Sequence, residues 1–177
     1  MLQAHVRRRE YRWEKGYLTA EHRQARFSHK GKFVVVVGTN VASTREVAKT
    51  LEKYLFHKQC NAYYLEIGNL FEELGKDSRR EPVSYEEHIR QLGETARLMT
   101  DAGLIFVTTL AEADDADLEE LRVLNEPNEL FVVNVGERRV EQFPVAVDIE
   151  ADGNLIGAID RIMRELNARD ILLDYSI

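Results

Sequence analysis

One cysteine, Cys60, is present in 177 residues. That excludes an internal disulfide framework and suits a reducing, cytoplasmic setting, with Cys60 read as a small buried side chain and not a nucleophile. No apolar run approaches the ~20 residues needed to span a bilayer, so a membrane is not among the expected partners. The amino-terminal arginines are followed by no apolar stretch, which excludes a secretory leader. Internal repeats and low-complexity segments are also missing. With 44% apolar and 31% charged residues, the chain reads as an ordinary folded protein, long enough for one α/β domain and an appendage.

Charge divides the chain. Residues 1–32 hold nine Lys/Arg against three Asp/Glu, while the remaining 145 residues hold 15 against 28. The basic part, residues 1–31, is expected to be an arm on an acidic domain, residues 32–177. Such an arm can lie on an acidic surface of its own or a partner's body. Motifs that read bases are not interleaved with it, so nucleic acid is not the expected partner. Trp13 and Tyr17 are its expected anchors, and Thr19 its helix cap.

What is present begins with Lys32 to Leu55. The β-branched run Val34 to Val37 leads through Gly38 into apolar positions Val47, Ala48, Leu51 and Leu55 at helical spacing, which predicts strand, turn and helix. The turn reads GTNVAST and lacks the second glycine and lysine of G-x-x-x-x-G-K-[ST]. Further strands are predicted at 62–67, 104–109, 130–135 and 145–149. A helix over 85–100 opens with Ser84 and Glu87 as a capping box, and Asn154 caps a last helix. The acidic run 112–120 reads as a solvated helix start rather than a metal site, and the apolar tail 171–177 should pack. Alternating strands and helices predict an α/β fold: a doubly wound, mostly parallel sheet of about five strands in a three-layer sandwich, with ligands beyond the strand ends.

The pieces LTAEHRQARFSHKGKFVVVVG, TREVAKTLEKYL, YYLEIGN and EEHIRQLGETARLMTDAGLIFVTTL together resemble the adenylylsulfate kinase family. The similarity covers roughly residues 18–110. It implies a P-loop-kinase-like fold and an enzyme that phosphorylates the 3′-hydroxyl of adenylylsulfate with ATP. It also implies a homodimer and a place beside, or fused to, sulfate adenylyltransferase.

The departures fall on the chemistry. Aligned from Gly38 with the family's GLSGSGKST, the glycines become Val41 and Ser43, the lysine Thr44 and the magnesium-binding serine Arg45. The family's DGDN-x-R corresponds to Glu66 through Phe71, where the acid is replaced by Gly68 and the arginine by Phe71, with Asn69 kept. In the third motif an asparagine becomes His88, read as a helix-face residue, while Arg90 is kept as a candidate anion contact. After Val135, GERRVEQFPVAVDI leaves no room for the basic lid.

A degenerate, non-catalytic kinase-like domain is the expected identity, with a nucleotide-sensing or subunit-pairing role in sulfate activation. A working kinase with a rebuilt phosphate site and an interaction module without nucleotide are the alternatives. No catalytic residue and no metal ligand is assigned. ATP, ADP or an adenylylsulfate-type nucleotide would contact Gly38, Thr39, Asn40, Ser43, Thr44 and Arg45, with Asn69 and Arg90 at the adenylylsulfate side.

Overall fold

A computed structural model describes residues 1–66 and 83–173. Within them, five strands form one all-parallel sheet: β1 (Lys32–Gly38), β2 (Ala62–Tyr64), β3 (Ile105–Ala111), β4 (Leu130–Val135) and β5 (Val147–Ile149). Their order is β2-β3-β1-β4-β5, which puts β1 between β3 and β4. Such a central strand is covered on both faces, and an unbroken valine run is the composition that tolerates this.

Alternate β1 residues feed two cores. Val34 and Val36 meet Val47, Leu51 and Leu55 of α3 (Val41–His57) and Ile159 and Ile162 of α6 (Leu155–Ala168). Phe33, Val35 and Val37 meet Ile89 and Leu92 of α4 (Tyr85–Asp101) and Leu118 and Leu121 of α5 (Asp115–Leu124). The result is the doubly wound sandwich that the alternating pattern predicts.

The four helices α3 to α6 open on side-chain caps, each contributing about 1 kcal/mol. Asn40 accepts from Ser43, Ser84 from Glu87, Asp114 from Asp117, and Asn154 from Ile156 and Gly157. The capping box expected at Ser84 is only half made. The Glu87 carboxylate turns outward to Arg90 and Gln91 instead of reaching back.

Strand ends also move. β3 runs two residues past the expected Thr109 because Gly38 pairs with Ala111, and β5 starts only at Val147. The strand expected over 62–67 pairs as Ala62–Tyr64, with Leu65 N–H adding one bond to the Val107 carbonyl. Residue 67 lies outside the described residues.

The arm carries an unforeseen helix, α1 (Leu2–Arg12), followed by α2 (Ala20–Phe27). Thr19 caps α2 as expected, and His22 completes its capping box. α1 lies on the chain's own body. Val6 is buried against Val123 and Leu124, and Arg9 reaches Glu94 at 2.7 Å and the Leu124 carbonyl at 2.9 Å.

The anchor is Arg97, only 3% exposed. It donates to both Glu10 carboxylate oxygens at 3.1 Å, to the Glu126 carbonyl and to Asp101. Its guanidinium also faces the Trp13 ring at 4.9 Å, an arrangement in which charge and aromatic area reinforce each other. Burial raises the Glu10 carboxyl, but Arg97 and Arg9 more than offset it and hold it below its ordinary value. Trp13 thus anchors the arm, while Tyr17 is fully exposed and anchors nothing.

A second junction ties the arm to the tail. His29 is fully buried, stacks on Phe27, and forms an antiparallel bridge with Leu172. Its Nδ1 donates to the Lys30 carbonyl, so Nε2 keeps the lone pair that accepts Asn61 N–H at 3.0 Å. Ile171 is buried beside it, as the apolar tail predicted. Residues 174–177 lie outside the described part.

Burial pushes the His29 imidazole below its ordinary value of 6.5. Its contribution to stability is complete above that value and is lost as pH falls from it toward the folded pKa. Thermal melts should therefore drop between pH 7.5 and 5.5, and His29→Gln, which does not titrate, should show a smaller drop over the same interval.

Candidate functional site

The end of β1 is where a phosphate loop would lie, because ligands in doubly wound sheets sit beyond the strands' carboxyl ends. Here β1 ends at Gly38 and α3 begins at Val41, so two residues, Thr39 and Asn40, make the whole connection. A Walker loop keeps G-x-x-x-x-G-K between strand and helix. In this chain the positions from Val41 onward already belong to the first turn of α3.

Two members of that turn, Ser43 and Thr44, are committed locally. Asn40 Oδ1 takes the Ser43 N–H at 3.0 Å, using a donor that would otherwise face an anion. Thr44 is 1% exposed, and its hydroxyl donates back to the Val41 carbonyl at 2.9 Å. Gly38 leaves no cradle either. A Cβ there would come within 2.5 Å of the Val135 carbonyl oxygen and 2.7 Å of Thr44 Cγ2. Its smallness is spent on packing β4 and α3 together.

Arg45 points away from the junction, toward the end of β2. Its Nε and terminal nitrogen donate to the two Glu66 oxygens, both at 2.7 Å. Tyr64 O–H adds a contact to Glu66 at 3.3 Å. The Arg45 hydrogen bonds hold the Glu66 carboxyl below its ordinary value.

Past this pair, a small cavity of about 180 Å³ opens between α4 and the end of β3, lined by Glu66, Tyr85, His88 and Thr108–Ala111. Among the described residues His88 Nε2 has no hydrogen-bond partner there. Tyr85 donates to Asp117 at 2.9 Å, and burial together with that carboxylate pushes its phenol up.

Of the six β1–α3 residues, Gly38, Thr39, Asn40, Ser43 and Thr44 lie together at the junction, while the Arg45 side chain turns away to Glu66. Arg90 does not join them. It is exposed on α4 and held by Glu87 at 2.8 and 2.6 Å, and it does not line the cavity. Asn69, Gly68 and Phe71 lie outside the described residues. Sequence reasoning missed the Glu66 and Tyr85 contacts, which depend on how α3 and α4 lie over the sheet edge.

A magnesium ion does not fit this junction, where a guanidinium stands in the metal ligand's place and the neighbouring hydroxyl is turned into its own helix. Among the described residues no group of three or more His, Cys, Asp or Glu is placed to hold a metal. Among the described residues, the loops after β3, β4 and β5 present exposed Glu112, Asp114, Glu137, Glu141, Glu150 and Asp152 against exposed Arg138 and Arg139, a net negative balance that does not favour a polyphosphate.

The segment 136–146, where the lid would start, is fastened down. Asp115, at the start of α5, accepts three backbone N–H groups, from Glu141, Gln142 and Phe143, at 3.1, 2.9 and 2.7 Å. These bonds, Phe143 foremost, hold the Asp115 carboxyl below its ordinary value. Arg138 turns to the Val140 carbonyl and Asp148, and Arg139 to Glu112.

Residues 30–141 match the family model described as Adenylylsulphate kinase. The chain belongs to the adenylylsulfate kinase family. Over 121 residues it is 33% identical to the adenylyl-sulfate kinase of Staphylococcus epidermidis, covering 68% of this chain and 61% of that one. The Lactiplantibacillus plantarum adenylyl-sulfate kinase is 31% identical over 123 residues, covering 70% and 59%. The chain thus spans about three-fifths of the length of the curated relatives it matches.

Among solved structures, the Mycobacterium tuberculosis APS kinase superposes with a TM-score of 0.65 at 20% identity, covering 78% of this chain and 99% of that one. A hexameric APS kinase from Thiobacillus denitrificans gives 0.62 at 15% identity, covering 92% and 40%. At these identities the likeness concerns the fold. No helix among the described residues is long and apolar enough to cross a membrane.

The Asp115 contacts generate a test. A carboxylate accepting backbone N–H groups makes bonds roughly twice as strong as a neutral acceptor does. Asp115→Asn should therefore raise amide exchange at Glu141, Gln142 and Phe143 by about tenfold or more, leaving β1 amides unchanged. In the wild-type protein the same acceleration should appear only as pH falls below the ordinary carboxyl range, because a depressed pKa keeps the anion until then.

Proposed function

We propose that this adenylylsulfate-kinase-family chain has given up phosphoryl transfer and acts as a regulatory domain in sulfate activation. One observation carries the reading: the residues aligned with the phosphate loop from Val41 onward already form the first turn of α3, with Ser43 N–H and the Thr44 hydroxyl bonded within the chain. Phosphoryl transfer relies on backbone N–H groups converging on phosphate, a lysine at the β/γ oxygens and a hydroxyl on magnesium. Here Asn40 takes one N–H, Thr44 is a buried hydroxyl bonded to Val41, and Arg45 is bound by Glu66.

The pinned 136–146 segment supports the same reading, because closure over the substrates excludes water from the transferring group. A related APS kinase structure carries AMPPNP and APS. Any nucleotide bound by the present chain would sit at the same carboxyl ends, beside Gly38 and Ser43, with affinity no tighter than about micromolar for want of the lysine and metal. A sulfate adenylyltransferase, separate or fused, and a second copy in a homodimer are the partners that fit a regulatory role.

The deciding experiment is ADP release from ATP dependent on adenylylsulfate. Loss of one charged phosphate contact alone costs about 10²–10³ in rate, so turnover should lie far below the usual ~1–100 s⁻¹ of kinases. Turnover inside that range would contradict the proposal. Thr44→Lys should not rescue it, because the position is 1% exposed and packs against Gly38 at the end of β1.

A further inference from the structure

On its β2 side α3 presents two cations one turn apart, Arg45 and Lys49, to a single carboxylate. Arg45 is bound at both nitrogens by Glu66. Lys49 Nζ stands 6.0 Å from the Tyr64 ring, and its charge helps hold the Glu66 carboxyl down without a salt bridge to it. The other acids of α3 are not available to it. Glu52 accepts the Tyr64 N–H at 2.7 Å, and Glu46 lines a cavity on the α6 side with Ser43 and Ile149. Like charges four residues apart on a helix repel, and among the described residues Glu66 is the carboxylate that meets this pair of cations. The described loops after β3 and β5, by contrast, carry exposed Glu112, Asp114, Glu150 and Asp152.

We propose that Arg45 and Lys49 form an oxyanion site that Glu66 occupies in the way a bound anion would, and that an external dianion works on this protein by displacing Glu66. A carboxylate and a phosphate present the same two-oxygen edge to a guanidinium. The competitor prevails only by bringing a second charge, which Lys49 is placed to meet and Glu66 cannot supply. Glu66 competes from within the chain, where a tethered group has an effective concentration of about millimolar. Wild-type affinity is correspondingly weak, and the site is kept shut against monoanions. Tyr64 sets the resting position, its hydroxyl lying 3.3 Å from Glu66 and 3.4 Å from Thr109. Displacement of Glu66 therefore reaches β3 as well as α3.

The inference deepens the regulatory reading and rests on it, yet the two fail separately. Turnover says nothing about Glu66, and anion binding says nothing about phosphoryl transfer. The test is calorimetry with pyrophosphate, standing for a nucleotide's phosphates, and with sulfate, standing for a sulfate ester. Glu66→Gln should bind at least one of them about tenfold or more tighter than wild type, a change of about 1.4 kcal/mol. The double variant Arg45→Ala, Glu66→Gln should lose that gain, and Lys49→Ala in the Glu66→Gln background should lose most of it. No gain in Glu66→Gln, or a gain that survives without Arg45, overturns the proposal. The wild-type chain gives an independent readout that needs no substitution. The Arg45 Nε–H resonance should move on titration with pyrophosphate at constant ionic strength, and a resonance unmoved at about 20 mM, beyond a millimolar tether, overturns it equally.

Discussion

Burial of β1 on both faces is the constraint on which the rest of the molecule depends. Val34 to Val37 are at most 2% exposed, and at about 25 cal/mol per Å² of apolar surface their removal from water contributes heavily to folding. The strand fixes where β3 and β4 run and which faces α3 and α4 cover. It also decides where the first turn of α3 begins, because Gly38 must let the Val135 carbonyl and Thr44 approach to within a methyl's breadth. The core needed for folding and the phosphate site of the family share this one corner. In this chain the corner is filled with protein.

The proposed loss of phosphate chemistry therefore rests on structure as well as on composition. A missing lysine could in principle be replaced by a nearby cation, and Arg45 is one residue away. The geometry sends it elsewhere: its two nitrogens are met by the two oxygens of Glu66. The freed helix donor is met by Asn40, and the segment that would become a lid is held by the Asp115 carboxylate. Three separate local interactions satisfy groups that a kinase would keep open for its substrates. Groups satisfied within the chain in this way are not held open for phosphoryl transfer, which agrees with the proposed regulatory role.

Much of the fold was legible because it rests on local patterns. The β-branched runs at 34–37 and 130–135, the helical spacing of Ile89, Leu92 and Ala96, and the caps at Asn154 and Thr19 each carry their meaning within a few residues. The family motifs, read residue by residue, located the altered corner at Gly38 to Arg45. Other features were hidden because they depend on distant partners. Helix α1 is polar along much of its length and folds against Arg97 and Glu94, some 85 residues away. Asp115 looked like one more acid in a solvated helix start, and only the path of residues 141–143 makes it a clasp. Arg90 matched the family pattern, yet its neighbour Glu87 takes its guanidinium.

The central claim is that the α3 corner has lost both its cation for phosphate and its place for magnesium while the fold persists. Calorimetry of ATP binding with and without magnesium addresses it most directly. A site with a metal ligand gains affinity from the ion, since the metal bridges the β and γ oxygens. This account predicts ATP affinity that is weak, about micromolar at best, and unchanged within about twofold when magnesium is added or chelated. A tenfold or greater tightening of ATP binding on adding magnesium would contradict it.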